Sequence, residues 1–208
     1  MDTTVINYYA DRTREWGPAG FDRTRVLNID YVYYLPKFGT RLTHWSPARK
    51  LLDGWQVSGI TRFWDGLPLT VNANGNAGTL SGSVRSNYLG GPVYPETRTR
   101  NEYFTPLVFG RPFDGQLGNT GKGILRGPGV NNWDFSLFKN TKIGERYSVQ
   151  FRLETFNVLN HTQWYGVNTT VSGNNPGSPV TQGSRGTSGQ VTTTRDSRSI
   201  QLSMKLYF

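Results

Sequence analysis

From Ser199 to Phe208 the hydrophobic and polar positions alternate without a break. Successive side chains of a strand face opposite sides. The stretch therefore predicts a strand with Ile200, Leu202, Met204, Leu206 and Phe208 on an apolar face and Gln201, Ser203, Lys205 and Tyr207 on a wetter one. Four more segments carry the same period of two. Val26 to Leu35 sets Leu27, Ile29, Tyr31, Tyr33 and Leu35 against Asn28 and Asp30. Trp55 to Val71 puts Gln56, Ser58 and Arg62 on its polar side, with Gly66 and Pro68 expected to bend it or shift its register. Trp133 to Thr141 places Trp133, Phe135 and Leu137 opposite Asp134, Ser136 and Asn140. Tyr147 to Thr155 places Tyr147, Val149, Phe151 and Leu153 opposite Ser148, Gln150, Arg152 and Glu154. The polar sets are expected on one face, the concave one, of a single antiparallel sheet, because a slip of one residue inverts a whole strand.

Between these segments the connections alternate in length. Lys142-Ile143-Gly144-Glu145 reads as a tight hairpin turn with glycine free to take a positive φ. Centring the turn on Ile143-Gly144-Glu145 sets Ser136 opposite Arg152 and Asp134 opposite Glu154, so that Asp134 reaches Arg152 diagonally. Asn72 to Asn132 and Asn157 to Arg198 are long connections rich in Gly and Asn, of a length that is functional or disordered more often than structureless in a compact domain. Ser46 to Gly54 has a serine at the N-cap position, proline at the first helical position and glycine beyond the end, which predicts a single short helix.

Two architectures use such strands. A soluble sandwich buries the apolar faces, whereas a transmembrane barrel turns them to lipid with strands of about 9–11 residues and a polar lumen. In the barrel reading both long connections fall outside the cell, while the tight turn, the Pro36–Gly54 link and Phe208 fall on the periplasmic side. Trp133, Tyr147, Tyr207 and Phe208 lie near strand ends, as an interfacial girdle or as core anchors.

Composition fits either β architecture: 13% of the 208 residues are aromatic, with 25 glycines and 11 prolines against 35% hydrophobic residues overall. No apolar run is long enough for a transmembrane helix, and cysteine is absent, which removes disulfides and thiolate chemistry. The net charge of +9 comes from 23 Lys and Arg that are scattered along the chain, so nucleic acid is not an expected partner. Met1 to Asn7 has neither a basic n-region nor an apolar h-region, and no secretory signal is expected there.

Candidate chemistry is sparse. His44 and His161 lie in separate connections without convergent ligands, so no catalytic residue, cofactor or metal is expected. Gly118-Asn119-Thr120-Gly121-Lys122-Gly123 departs from a phosphate loop, with Gln116 in place of its first glycine and no Ser or Thr after Lys122. Arg62, Asp134, Arg152 and Glu154 share the polar side and form a candidate lumen cluster. Tyr88, Tyr94, Tyr103, Phe104 and Phe109 are candidate ligand contacts in a long loop, with packing of the loop itself as the alternative.

Several segments together resemble one family: Phe21-Asp22-Arg23, Gly54-Trp55-Gln56-Val57-Ser58-Gly59-Ile60 followed by Gly66-Leu67-Pro68, and Gly118-Asn119-Thr120-Gly121. Leu125-Arg126-Gly127-Pro128-Gly129 and Asn132 to Lys139 follow, then Phe151 to His161 and Arg195-Asp196. In this order they resemble the Oar-like TonB-dependent outer-membrane receptors, which often carry an N-terminal carboxypeptidase-regulatory-like domain. The resemblance implies an all-β fold: an antiparallel transmembrane β-barrel segment of about five strands with long extracellular loops, residues 1–208 being the C-terminal part of a receptor barrel without plug or signal peptide. Five strands cannot close a membrane barrel, so a truncated or fragmentary gene is implied. Implied partners are the outer-membrane lipid, the missing N-terminal barrel and plug, TonB only through that plug, and the barrel-assembly machinery, which reads a terminal aromatic strand like the one carrying Leu206 and Phe208. The implied function is energy-coupled uptake of an extracellular ligand at the bacterial cell outer membrane. A soluble or surface-attached carbohydrate-binding module is the alternative.

Overall fold

Alternation over nine or more residues commits a segment to the extended state only if each face finds its own surroundings, and five segments meet that condition. A computed structural model describes residues 12–74, 84–172 and 176–208. Met1 to Asn7, read above for a signal, lies outside the described residues. The strands are β1 (Val26–Tyr34), β2 (Trp55–Trp64), β3 (Val130–Ile143), β4 (Tyr147–Phe156) and β5 (Ser199–Tyr207). They form one sheet in chain order, every neighbouring pair antiparallel. The chain divides into two compact units, and this sheet with its β1–β2 connection makes up one of them.

Paired residues share a face, so the register decides the faces. Asn28 pairs with Arg62 and Arg62 with Asn132; Ser58 pairs with Ser136, Ser136 with Glu154, and Glu154 with Gln201. Asn28, Asp30, Gln56, Arg62, Asp134, Gln150, Arg152 and Glu154 accordingly stand on one side. Leu27, Ile29, Val57, Leu137, Leu153 and Leu202 stand on the other, where Leu202 is 64% and Met204 75% exposed. An exposed apolar surface of this extent marks a place where something other than water is met. Gly59 interrupts the apolar side in β2, and the side chain of its cross-strand partner Tyr31 covers the space a Cβ would take. Tyr207 pairs with Ser148 and faces the polar side, as its place in the alternation predicts, whereas Trp133 and Tyr147 stand on the apolar side.

Three expectations are corrected. Tyr147 pairs with Ile143, leaving Gly144-Glu145-Arg146 as the turn, with Gly144 at φ +67° opening it rather than standing at its centre. The hairpin register therefore moves by two residues: Ser136 faces Glu154 and Phe138 faces Arg152, with every side chain still on its expected face. Strand β2 stops at Trp64, not Val71, because the backbone of Gly66 abuts the Gly127 carbonyl and Pro68–Leu69 pairs instead with Leu125–Arg126. The Pro36–Gly54 link holds two short helices instead of one, α1 (Phe38–Leu42) and α2 (Ser46–Leu52). Ser46 is the first helical residue and Trp45 takes the N-cap position, without a side-chain capping bond.

The second unit gathers Asp65–Gly129, Gln163–Arg195 and the described residues before Val26. Its strands are short and its core is its own: Val71, Ala73, Phe104, Phe109, Leu125, Val171 and Val180 pack together. Asn72–Ala73 lies between Thr170–Val171, which runs parallel to it, and Val84–Arg85, which runs antiparallel. The described parts of both long connections are thus packed structure.

Candidate functional site

On the polar face of the sheet the four candidate charges form two pairs rather than one cluster. Arg62 Nη1 meets Asp134 Oδ2 at 2.6 Å across β2 and β3. The other oxygen of Asp134 accepts from Asn132 Nδ2 at 2.8 Å and from the backbone N–H of Asn157 at 3.0 Å. Only 15% of the Asp134 side chain is exposed, and both its oxygens are occupied, so the carboxylate fastens β2, β3 and the exit of β4. Arg152 Nη1 stands 3.6 Å from Glu154 Oε1 on its own strand, with the guanidinium 4.7 Å from the ring of its cross-strand partner Phe138. The expected Asp134–Arg152 contact is replaced by these pairs. The two-residue register shift carries Asp134 two pleats from Arg152, about 13 Å along the strands at the usual rise. Between the pairs stand amides and hydroxyls, as in the Gln150 to Asn140 bond of 2.9 Å, together with Asp30, Lys142 and Lys205, and Val32, Ile60 and Phe138 interrupt the polar set.

The loop aromatics are placed differently from the ligand-contact expectation. Phe104 and Phe109 are fully buried, with rings 5.8 Å apart, and Tyr103 is buried as well. Tyr94 and Tyr103 both donate their hydroxyls to the Arg126 carbonyl, and the Arg126 N–H donates back to Tyr94 Oη at 2.6 Å. Arg98 lies 3.8 Å over the Tyr94 ring and donates to Tyr103 Oη. Burial pushes the Tyr103 phenol up, with the Arg98 guanidinium pulling the other way. Tyr88 packs on the Phe109 ring and donates to the Gly91 carbonyl. These five side chains pack within the unit, and of them Tyr103 also borders a cleft.

Two clefts of the unit are bordered in part by guanidinium groups. A cleft of about 440 Å³ is bordered by Arg25, Asp65, Arg98, Tyr103 and Arg126, and another of about 250 Å³ by Arg23, Leu67, Tyr165 and Arg195. Arg25 pairs with Asp65 at 2.8 Å, and this hydrogen bond holds the Asp65 carboxyl below its ordinary range. Arg126 pairs with Asp22 at 2.6 Å, joining two of the segments on which the family resemblance rests. Sequence reasoning assigned neither arginine a role; Arg126 had only its membership of those segments as a signal, and Arg25 had none. His44 sits in the α1–α2 link beside Arg49, and His161 lends its carbonyl to Asn157. Among the described residues no three His, Cys, Asp or Glu gather as metal ligands.

A family model described as an outer membrane beta barrel domain matches residues 2–201. The chain belongs to that family. No curated protein and no solved structure matches it. Membership places the protein in the bacterial outer membrane and explains the exposed apolar side of the sheet as the surface that meets lipid. The structure is all-β with antiparallel pairing in the five-stranded sheet, and among the described residues the sheet does not close into a barrel, consistent with an incomplete one.

Proposed function

We propose that the chain forms the C-terminal part of the barrel of a TonB-dependent receptor of the Oar-like kind, which takes up an extracellular ligand with energy delivered through a plug. The observation that carries this reading is the sheet itself: five strands, a polar face with paired charges, a lipid-facing side, and β1 and β5 each with one edge that pairs with no other strand among the described residues. Backbone groups left unpaired in lipid cost several kcal/mol each, so both edges call for further strands of the same barrel. In this reading the short turn and the α1–α2 link face the periplasm, and the two long connections face the medium, where they meet ligand. No catalytic step is part of the proposal.

The test compares culture media after growth of the parent bacterium, a strain lacking the gene and a strain lacking TonB. The expected result is that at least one solute is depleted by the parent alone and that restoring the gene restores its depletion. Identical solute profiles in all three strains across nutrient-limited media would overturn energy-coupled uptake.

A further inference from the structure

The α1–α2 connection is fastened to the apolar side of the sheet. Trp55 and Lys139 are cross-strand partners on that side. Trp55 Nε1 donates to the Leu51 carbonyl at 2.9 Å, and Lys139 Nζ donates to the carbonyls of Lys50, at 2.6 Å, and Asp53. These oxygens belong to the last turn of α2 and its C-cap, where carbonyls lack helical partners and where a cation meets the negative end of the helix. Between the helices, the backbone of Gly39 sits against Arg49, while the Gly39 N–H and the Thr40 hydroxyl donate to the Asp53 carboxylate at 2.7 Å each. The helix pair is a built element, held on the face that meets lipid.

Its exposed side chains are of two kinds. Phe38 and Leu42, one turn apart on α1, are exposed with Trp45 and Leu51, and so are Lys37, Arg41 and Lys50. Asp53 is the only acid from Leu35 to Gly54, and the helix pair itself occupies it. Exposed large apolar groups beside uncompensated cations suit the boundary between acyl chains and anionic headgroups.

We propose that α1 and α2 anchor the protein in the periplasmic leaflet, with Leu42, Trp45 and Leu51 in the headgroup–acyl boundary and Lys37, Arg41 and Lys50 on anionic phospholipid headgroups. The inference rests on the outer-membrane placement and on the periplasmic direction proposed for this end of the sheet. It makes the link a continuation of the lipid-facing surface.

The chain has no cysteine, so single labels report cleanly. The full chain carrying a nitroxide at Leu42→Cys or Leu51→Cys is placed in bilayer discs of phosphatidylcholine, with or without phosphatidylglycerol, and its collisions with oxygen and with a water-soluble nickel chelate are measured. In the anionic bilayer both labels are expected about 5–10 Å into the boundary, the usual depth of an interfacial helix. Lys37→Gln, Arg41→Gln and Lys50→Gln together are expected to move them toward water. Equal depth in the two bilayers, or no response to the triple variant, would overturn the headgroup contacts. Labels open only to the nickel chelate, or closed to both reagents because protein covers them, would overturn the anchor. A label at Leu202→Cys on β5 separates the two failures. If it lies in lipid while the link is aqueous, only the anchor fails; if it is aqueous too, the membrane placement of the sheet fails with it.

Discussion

Asn157 stands at φ +53° directly after β4, a left-handed backbone that costs most side chains roughly 1–2 kcal/mol. Its N–H donates to Asp134, and its buried amide donates to the carbonyls of His161 and Asp196, so one residue turns the chain and ties two segments to the sheet. Asn157→Ala is expected to destabilise the protein by about 1–3 kcal/mol, and Asn157→Gly by less, because glycine restores the backbone freedom although it loses the side-chain bonds. Urea unfolding of the protein in bilayers measures both; equal losses would show that the amide contacts alone matter. Asp65 gives a pH-dependent case. Its folded-state acidity is held below the ordinary carboxylate range, first by the hydrogen bond from Arg25, so the pair contributes above about pH 3.9 and the contribution is lost as pH falls through the folded value. The Arg25 side chain is 84% exposed, so the energy involved is small. A carbon-13 titration of the Asp65 carboxyl is expected to show a midpoint below that of an ordinary aspartate, rising in Arg25→Gln; a midpoint unaffected by that variant would overturn the assignment. Neither residue's role was legible beforehand. Asn157 and Asp65 make their contacts through tertiary neighbours that no local pattern names.

Three of the five strands were legible almost residue for residue, whereas β2 ends at Trp64 rather than Val71 and β3 extends beyond Trp133–Thr141 to Val130–Ile143. Val26–Tyr34, Tyr147–Phe156 and Ser199–Tyr207 fall within a residue or so of the segments read from alternation, because each must satisfy lipid on one side and polar groups on the other. Register was not legible to the same degree. A turn opening on Gly144 and a turn centred on it differ by two residues in pairing, and both keep every side chain on its face, so alternation has nothing to distinguish them. Cysteine pairs read the difference directly. Ser136→Cys with Glu154→Cys is expected to form a disulfide on mild oxidation, since facing residues of an antiparallel pair lie within bridging distance. Ser136→Cys with Arg152→Cys is expected to bridge poorly. The reverse order of yields would restore the register first read from the turn. The helix pair was half legible: Pro47 and the α2 boundary follow from local chemistry, whereas α1 depends on Gly39 approaching Arg49 and on its bonds to Asp53.

At the scale of the molecule, the packed loop unit was the least legible part. Its strands are mostly two residues long, too short to show a period, and its ties reach far along the chain, as in the pair formed by Arg126 and Asp22. The terminal residue is the converse: Phe208 is 95% exposed, so nothing in the fold holds it. Deleting Phe208 is therefore expected to leave thermal stability nearly unchanged while reducing delivery to the outer membrane, if the assembly machinery reads the terminal strand. Surface labelling alongside a melting curve tests this; a lowered melting temperature with normal surface levels would make Phe208 a packing residue instead. The chain-order sheet also carries a kinetic consequence. Strands β3 and β4 are joined by three turn residues, Gly144-Glu145-Arg146, whereas residues 65–129 separate β2 from β3 and residues 157–198 separate β4 from β5. A loop as long as that before β3 costs roughly 1 kcal/mol more to close than the residue 35–54 connection, and far more search than a tight turn. The β3–β4 ribbon is thus expected to be the earliest part of the sheet to form, with β2 and β5 joining its flanks only after the two long connections close.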